Sequence, residues 1–386
     1  MQIKNRNLFR ATRFFLLNLP RLLKLFARTR TPQKRLLLIK IDAIGDYILS
    51  RNFIEIVRKS QKFSDYQIDL VGSELWQEIA LKYDSVFVNN FYFTRPDELY
   101  ESPLGTLKLA FKLFKNNYEV VLQPTFSRTF IGDGLAGFAA AAQTIAFEGD
   151  TERIQARYKV KTDKFYTELF AAPDYGFEFD RSKFFFERVL QQSVKLAAPF
   201  LDIERREKSG IVIFPGAGVS NRSWEPGKFV ELIKLLSKET SHNICVAGSA
   251  VEEKAAVFIT QSLPRGTVTD LTGKTSLVQL IELLANAALV IGNETSAIHI
   301  AAAVKTQSVC ILGGGHFERF APYQPHVKFA PVCVFEKMEC YGCNWTCKFK
   351  TADDEPFPCI SSVKVAEVFK AAQQLLRTAG VINNRP

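Results

Sequence analysis

The sequence predicts an α/β protein of two similar blocks, each a parallel sheet covered by helices, with polar strand ends facing a central cleft. Three observations carry this. Short apolar runs alternate with segments of helical period from Arg35 onward. The alternation occurs twice, divided by the charged stretch "DIERREKSG" at 202–210. Polar residues concentrate in loops that follow strands, where open α/β sheets bind ligands.

The elements follow in order. "RLLLIKI" from Arg35 is a strand, and "YILSRNFIEIVRK" continues as a helix. "YQIDLVGS" and "SVFVNNF" read as strands around the helical "ELWQEIALKY". "PLGTLKLAFKLFKNN" is a helix with basic residues on one side, and "YEVVLQPTF" is a strand. "RSKFFFERVLQQSVKL" is helical. The second block opens with the strand "GIVIF", then a helix whose first turn carries Pro226, then the strand "NICV". Two helices, "VEEKAAVFITQSL" and "TSLVQLIELLANA", and the strands "ALVIGNE" and "SVCILGGG" follow. Buried strands that are apolar along their whole length fit sheets covered on both faces. The expected parts are an arm at 1–34, a first domain at 35–205 and a second at 206–386.

With 386 residues and 47% hydrophobic content, the chain can bury two cores and is not a disordered polymer. The net charge of +10 is local. Residues 1–35 hold ten basic residues and no acid, and the remaining 40 basic residues match all 40 acids. Within that arm, "FFLLNLPRLLKLF" reads as a basic amphipathic helix bent at Pro20. Such a helix suits an anionic lipid surface; a helix packed on the domain is the alternative. Pro20, Arg21 and Lys24 interrupt the apolar run, which argues against a secretory signal, and no run is long enough to predict a transmembrane helix. Seven cysteines without an export signal point to a reducing, cytoplasmic compartment.

Dinucleotide chemistry is disfavoured, because the first strand–helix turn, Asp42-Ala43-Ile44-Gly45-Asp46, has one glycine where the fingerprint needs three. Three strand-end loops carry the chemistry instead. In the first, Asp46 follows Gly45 and is either a helix-terminal carboxylate or a general base. In the second, "FPGAGVSNRSW", Gly216 and Gly218 suit close approach of phosphate oxygens, and Arg222 offers a guanidinium for bidentate contact. In the third, "IGNETSAIHIAAA", Glu294, Thr295 and Ser296 open a helix whose amides suit an anion. His299 there is a ligand contact or a core histidine.

Taken together, "IGD" after the first strand, "PGAG…RSW", "DLTGKTSLVQLIELLANAALVIGNETSAIHIAAA" and "APY" at 321–323 resemble glycosyltransferase family 9, the heptosyltransferases that use ADP-heptose to build bacterial lipopolysaccharide. The resemblance is strong over 210–323, good over 35–58 and poor over 90–205. It implies a GT-B fold of two Rossmann-like domains, with the donor on the second and the acceptor on the first. It also implies metal-independent inverting transfer without a catalytic cofactor. Asp46 falls at the family's catalytic aspartate, and Lys40 at a basic position facing the same cleft. Arg222 falls at a residue that faces donor phosphates. Glu294, Thr295, Ser296 and His299 fall in the donor block, with Glu294 and Ser296 replacing the commoner Asp and Gly. The implied partners are a nucleotide sugar, a lipid-linked saccharide acceptor and, through the arm, the cytoplasmic face of the inner membrane, with no nucleic acid. Another nucleotide sugar, or an O-chain or capsule acceptor, is the alternative. A basic, zinc-bearing nucleic-acid binder is a more distant one, and it predicts basic residues spread over the folded domain.

Cys340, Cys343, Cys347 and Cys359 form C-x2-C-x3-C-x11-C. Four thiolates at such spacing suit a structural zinc ion. Reduced or reversibly paired thiols, or an iron–sulfur cluster, are the alternatives.

Overall fold

The computed structural model describes residues 4–173, 176–204 and 208–378. The chain divides into two compact units: Met1–Tyr175 with Phe179–Leu196, and Gly176–Glu178 with Ala197–Pro386. The expected boundary at 205 lies outside the described residues.

Unit 1 holds six strands: β1 Gln33–Lys40, β2 Gln67–Ser73, β3 Asn90–Thr94, β4 Tyr118–Gln123, β5 Gln143–Phe147 and β6 Glu168–Phe170. They form one parallel sheet in the order β3-β2-β1-β4-β5-β6. Leu36, Leu37, Leu38 and Ile39 of central β1 are all buried, as a strand covered on both faces requires. Unit 2 holds β7 Ile211–Phe214, β8 Ile244–Val246, β9 Val268–Asp270, β10 Leu289–Asn293, β11 Ser308–Ile311 and β12 Val332–Val334. Its order, β12-β11-β10-β7-β8-β9, repeats the first. Each sheet therefore reverses direction once, between β1 and β4 and between β7 and β10. A crevice opens at such a switch point, beyond the carboxyl ends of the strands.

Strand β3 begins later than "SVFVNNF" suggested. Asp84 is buried against Tyr47 and Arg51, and Phe87 N–H closes a turn on the Asp84 carbonyl at 3.0 Å. Pairing therefore starts only at Asn90 and uses the aromatic run "NFYFT". Cys245 is half-buried in β8.

The N-terminal segment forms one helix, Arg6–Ala27, with Pro20 inside it. Thr12, Leu16 and Pro20 lie on its buried face. They meet the helix Phe130–Ala139 at two glycines: a Cβ on Gly134 would lie 2.2 Å from Leu16, and one on Gly137 would lie 2.8 Å from Pro20. Small residues at that spacing let the two helices approach closely. The basic arm is thus a helix locked into unit 1, with its other face outward.

Candidate active site

In unit 1 the switch point brings the loops after β1 and β4 together. Asp42 is buried there, its Oδ2 2.9 Å from Lys40 Nζ and accepting from Thr125 Oγ1 at 2.7 Å. Burial opposes charge on Asp42. The Lys40 ammonium, the Thr125 hydroxyl and the more distant Arg153 outweigh it and hold the carboxyl below the ordinary carboxylate range. Behind this pair, Trp76 Nε1 donates to the Asp42 carbonyl at 3.0 Å and its ring stacks on Tyr47 at 3.8 Å. The strand–helix turn is therefore held from below.

Asp46 lies half-buried in the first turn of the helix Ile44–Ser50. The N-cap of that helix is Ala43, which has no capping oxygen and makes no side-chain cap bond. Asp46 is thus the third residue of the helix, within its first turn, at a position compatible with the helix dipole. Lys40, expected to face the same cleft as Asp46, is buried with its ammonium against Asp42.

In unit 2 the loops after β7 and β10 meet in the same way. Asn293 joins them: its Nδ2 donates to the Pro215 carbonyl at 2.6 Å, and its Oδ1 accepts from the Trp224 amide at 2.9 Å. Trp224 is buried beneath the loop, its Nε1 donating to Val363 O at 3.0 Å. Gly216 leaves room for Glu252, whose side chain a Cβ would meet at 2.2 Å; Gly218 stands in open space at φ 71° and needs glycine for that backbone alone. Arg222 ends the turn Ser220–Arg222, its guanidinium 4.5 Å from the ring centre of Trp345.

Thr295 caps the helix Ser296–Ala303, yet its Oγ1 is enclosed without a hydrogen-bond partner. Beside it, Glu294 is half-buried and its amide donates to Ile311 O at 3.2 Å. His299 faces inward, with Nδ1 2.7 Å from Tyr323 Oη, and burial lowers its pKa to about 4. It is a neutral core histidine at physiological pH, and the "APY" motif supplies its partner.

The cysteine-bearing loop closes this edge. Gly342 and Asn344 amides donate to the Gly314 and Gly315 carbonyls at 2.8 and 2.9 Å. Trp345 sits at φ 61°, where a bulky residue costs roughly 1–3 kcal/mol and persists only because its surroundings hold it. Cys340, Cys343, Cys347 and Cys359 line an apolar hollow with Trp345 and Phe357. Among the described residues, no group of three or more His, Cys, Asp or Glu is placed to hold a metal ion, so the zinc expectation is not met. The four thiols share that hollow with aromatic side chains, and no three of them are placed round one point.

Asp42, Thr125 and Trp345 were not singled out by sequence reasoning, and Asn293 was given no role of its own there. Asp42 and Asn293 stand inside quoted motifs, and two polar residues at strand ends were the available signal.

The family model Glycosyltransferase family 9 (heptosyltransferase) matches residues 135–349, more than half of the chain. Lipopolysaccharide heptosyltransferase 3 of Escherichia coli K12 is 29% identical over 118 residues, 30% of this chain and 34% of that protein. The chain thus matches about a third of the length of that relative. Lipopolysaccharide heptosyltransferase 1 of Campylobacter coli is 23% identical over 367 residues, 88% of this chain and 98% of that protein. The solved structure of E. coli ADP-heptose lps heptosyltransferase II superposes with TM-score 0.66 at 16% identity, covering 90% of this chain and 99% of that one. That likeness establishes a GT-B fold for the two six-stranded sheets.

Proposed function

The chain belongs to glycosyltransferase family 9, the heptosyltransferase family, and on that premise we propose that it transfers heptose from ADP-heptose to a lipopolysaccharide-type acceptor, inverting the anomeric carbon. The acceptor oxygen attacks that carbon, its proton passes to Asp46, and the bond to the diphosphate breaks with its electron pair leaving on phosphate. Arg222, the first amides of the helix Ser296–Ala303 and the Thr295 hydroxyl receive the departing charge, so the reading assigns no step to a metal. Asp42 and Lys40 position the Asp46 turn.

The observation that carries this reading is the Asn293 bridge, which brings the Arg222 loop and the Thr295 helix start to one switch point. A thermal-shift panel of nucleotide sugars tests it. ADP-heptose at about a hundred times its Kd should stabilise the protein by roughly 2.7 kcal/mol, with no comparable shift from UDP- or GDP-sugars. Stabilisation by one of those instead assigns a different donor.

The same reading places the enzyme on an anionic membrane surface at the cytoplasmic face. Supporting it, the helices Arg6–Ala27 and Pro103–Lys115 lie side by side. Glu101 accepts from the Lys4 and Asn5 amides at 2.6 and 2.9 Å, and Arg30 donates to the Phe114 and Lys115 carbonyls at 2.8 and 3.1 Å. Phe14, Leu22, Phe26, Leu104 and Phe111 are all more than half exposed on them, and neither helix contains an acid. No helix of the described residues is long and apolar enough to cross a membrane. Anionic vesicles should sediment the protein and neutral ones should not, since each basic residue near the surface contributes roughly 1 kcal/mol. Phe14→Ser with Phe111→Ser should weaken this at least roughly tenfold; equal binding to both vesicle types removes the anionic preference, and binding to neither removes the membrane from the reading.

A further inference from the structure

We infer that Trp345 is a positioning residue for Arg222, and that the cysteine-bearing loop is a working wall of the donor site. The inference rests on the donor reading above and names the device that aims its cation. The Trp345 ring faces the Arg222 guanidinium at 4.5 Å, within cation–π range. Its Nε1 donates to His316 Nδ1 at 3.2 Å, which fixes the ring on the loop after β11.

The turn that carries Arg222 is fastened to the cysteine-bearing loop. Asn221 Nδ2 donates to the carbonyls of Ala352 and Glu355 at 3.2 and 3.0 Å, and the Phe357 amide donates to the Asn221 carbonyl at 2.8 Å. Ser220 Oγ donates to Asp353 O at 3.1 Å.

The triple glycine supplies the space. A Cβ on Gly315 would lie 2.1 Å from the Trp345 ring, and one on Gly314 would lie 2.2 Å from Tyr341. Side chains there would displace the loop, and Trp345 with it, from this position. A guanidinium on a long flexible stem loses rotamer freedom when it binds an anion. An aromatic face beneath it removes that freedom beforehand, so less is lost on binding. The left-handed backbone of Asn344 and Trp345 is the local strain that this placement requires.

The experiment is a double-mutant cycle read by ADP affinity, kcat/KM and melting temperature. Trp345→Leu should weaken ADP binding and lower kcat/KM by about 3- to 30-fold, the range of a cation–π contact. Trp345→Phe, which keeps an aromatic face, should recover most of that loss. In an Arg222→Ala background, Trp345→Leu should have little further effect on either quantity, because the two act as one unit. A purely structural tryptophan would lower melting temperature and activity alike in both backgrounds, and that result overturns the inference. ADP binding unchanged in Trp345→Leu also overturns it while leaving the donor reading intact. A wild-type protein that binds no ADP defeats the donor reading, and this inference with it.

Discussion

Asp46→Asn is expected to lower turnover by about 10²- to 10⁴-fold, the usual worth of a general base. The donor KM should stay near its wild-type value, because the lost interaction belongs to the transition state. Stability should also stay close to wild type. A true cap would contribute about 1 kcal/mol, but the cap position of this helix is Ala43 and Asp46 lies inside the first turn. Steady-state kinetics with ADP-heptose, alongside thermal unfolding, separates the two roles. An Asp46→Asn enzyme that melts early and turns over normally would show that the carboxylate serves the helix and not the reaction.

Arg222→Ala is expected to reduce kcat/KM by roughly 10²- to 10³-fold, as when one donor to developing charge is removed. Arg222→Lys should restore only part of this, because an ammonium lacks the planar fork and does not stack on Trp345 in the same way. The loss should be much smaller for a donor-independent property such as vesicle binding, measured on the same preparations. If Arg222→Ala leaves both kcat/KM and ADP affinity unchanged, the diphosphate lies elsewhere.

The sequence made the central strands legible because β1, β7, β10 and β11 are buried on both faces and show as unbroken apolar runs. Edge strands β6, β9 and β12 span only three residues each. Runs that short carry no period of their own, and their pairing comes from the neighbouring strand. The helix Phe130–Ala139 was hidden for a different reason. Its three glycines, Gly132, Gly134 and Gly137, are poor helix formers, and two of them are explained only by Leu16 and Pro20 far upstream.

The site divides along the same line. Asp46, Arg222 and the Glu294–Ser296 turn could be named as candidates because strand-end loops carry function in this class of fold. Lys40 could not be resolved that way: its ammonium is taken by Asp42, a tertiary pairing that spacing alone does not reveal. The tryptophan beneath Arg222 was equally out of reach, since it arrives from a loop more than a hundred residues later. Cysteine spacing suggested a metal, whereas the surrounding rings make the hollow apolar.

The interlock of Leu16 and Pro20 with Gly134 and Gly137 bears on how such an enzyme would stand on a bilayer. A segment seated this tightly is a foot and not a leash. On lipid it would allow unit 1 no slack, so the Thr125 loop, carried on the sheet beneath the same helices, would stand at one fixed height. Sugars attached close to the lipid would fall within its reach, and those far out along a long glycan would not.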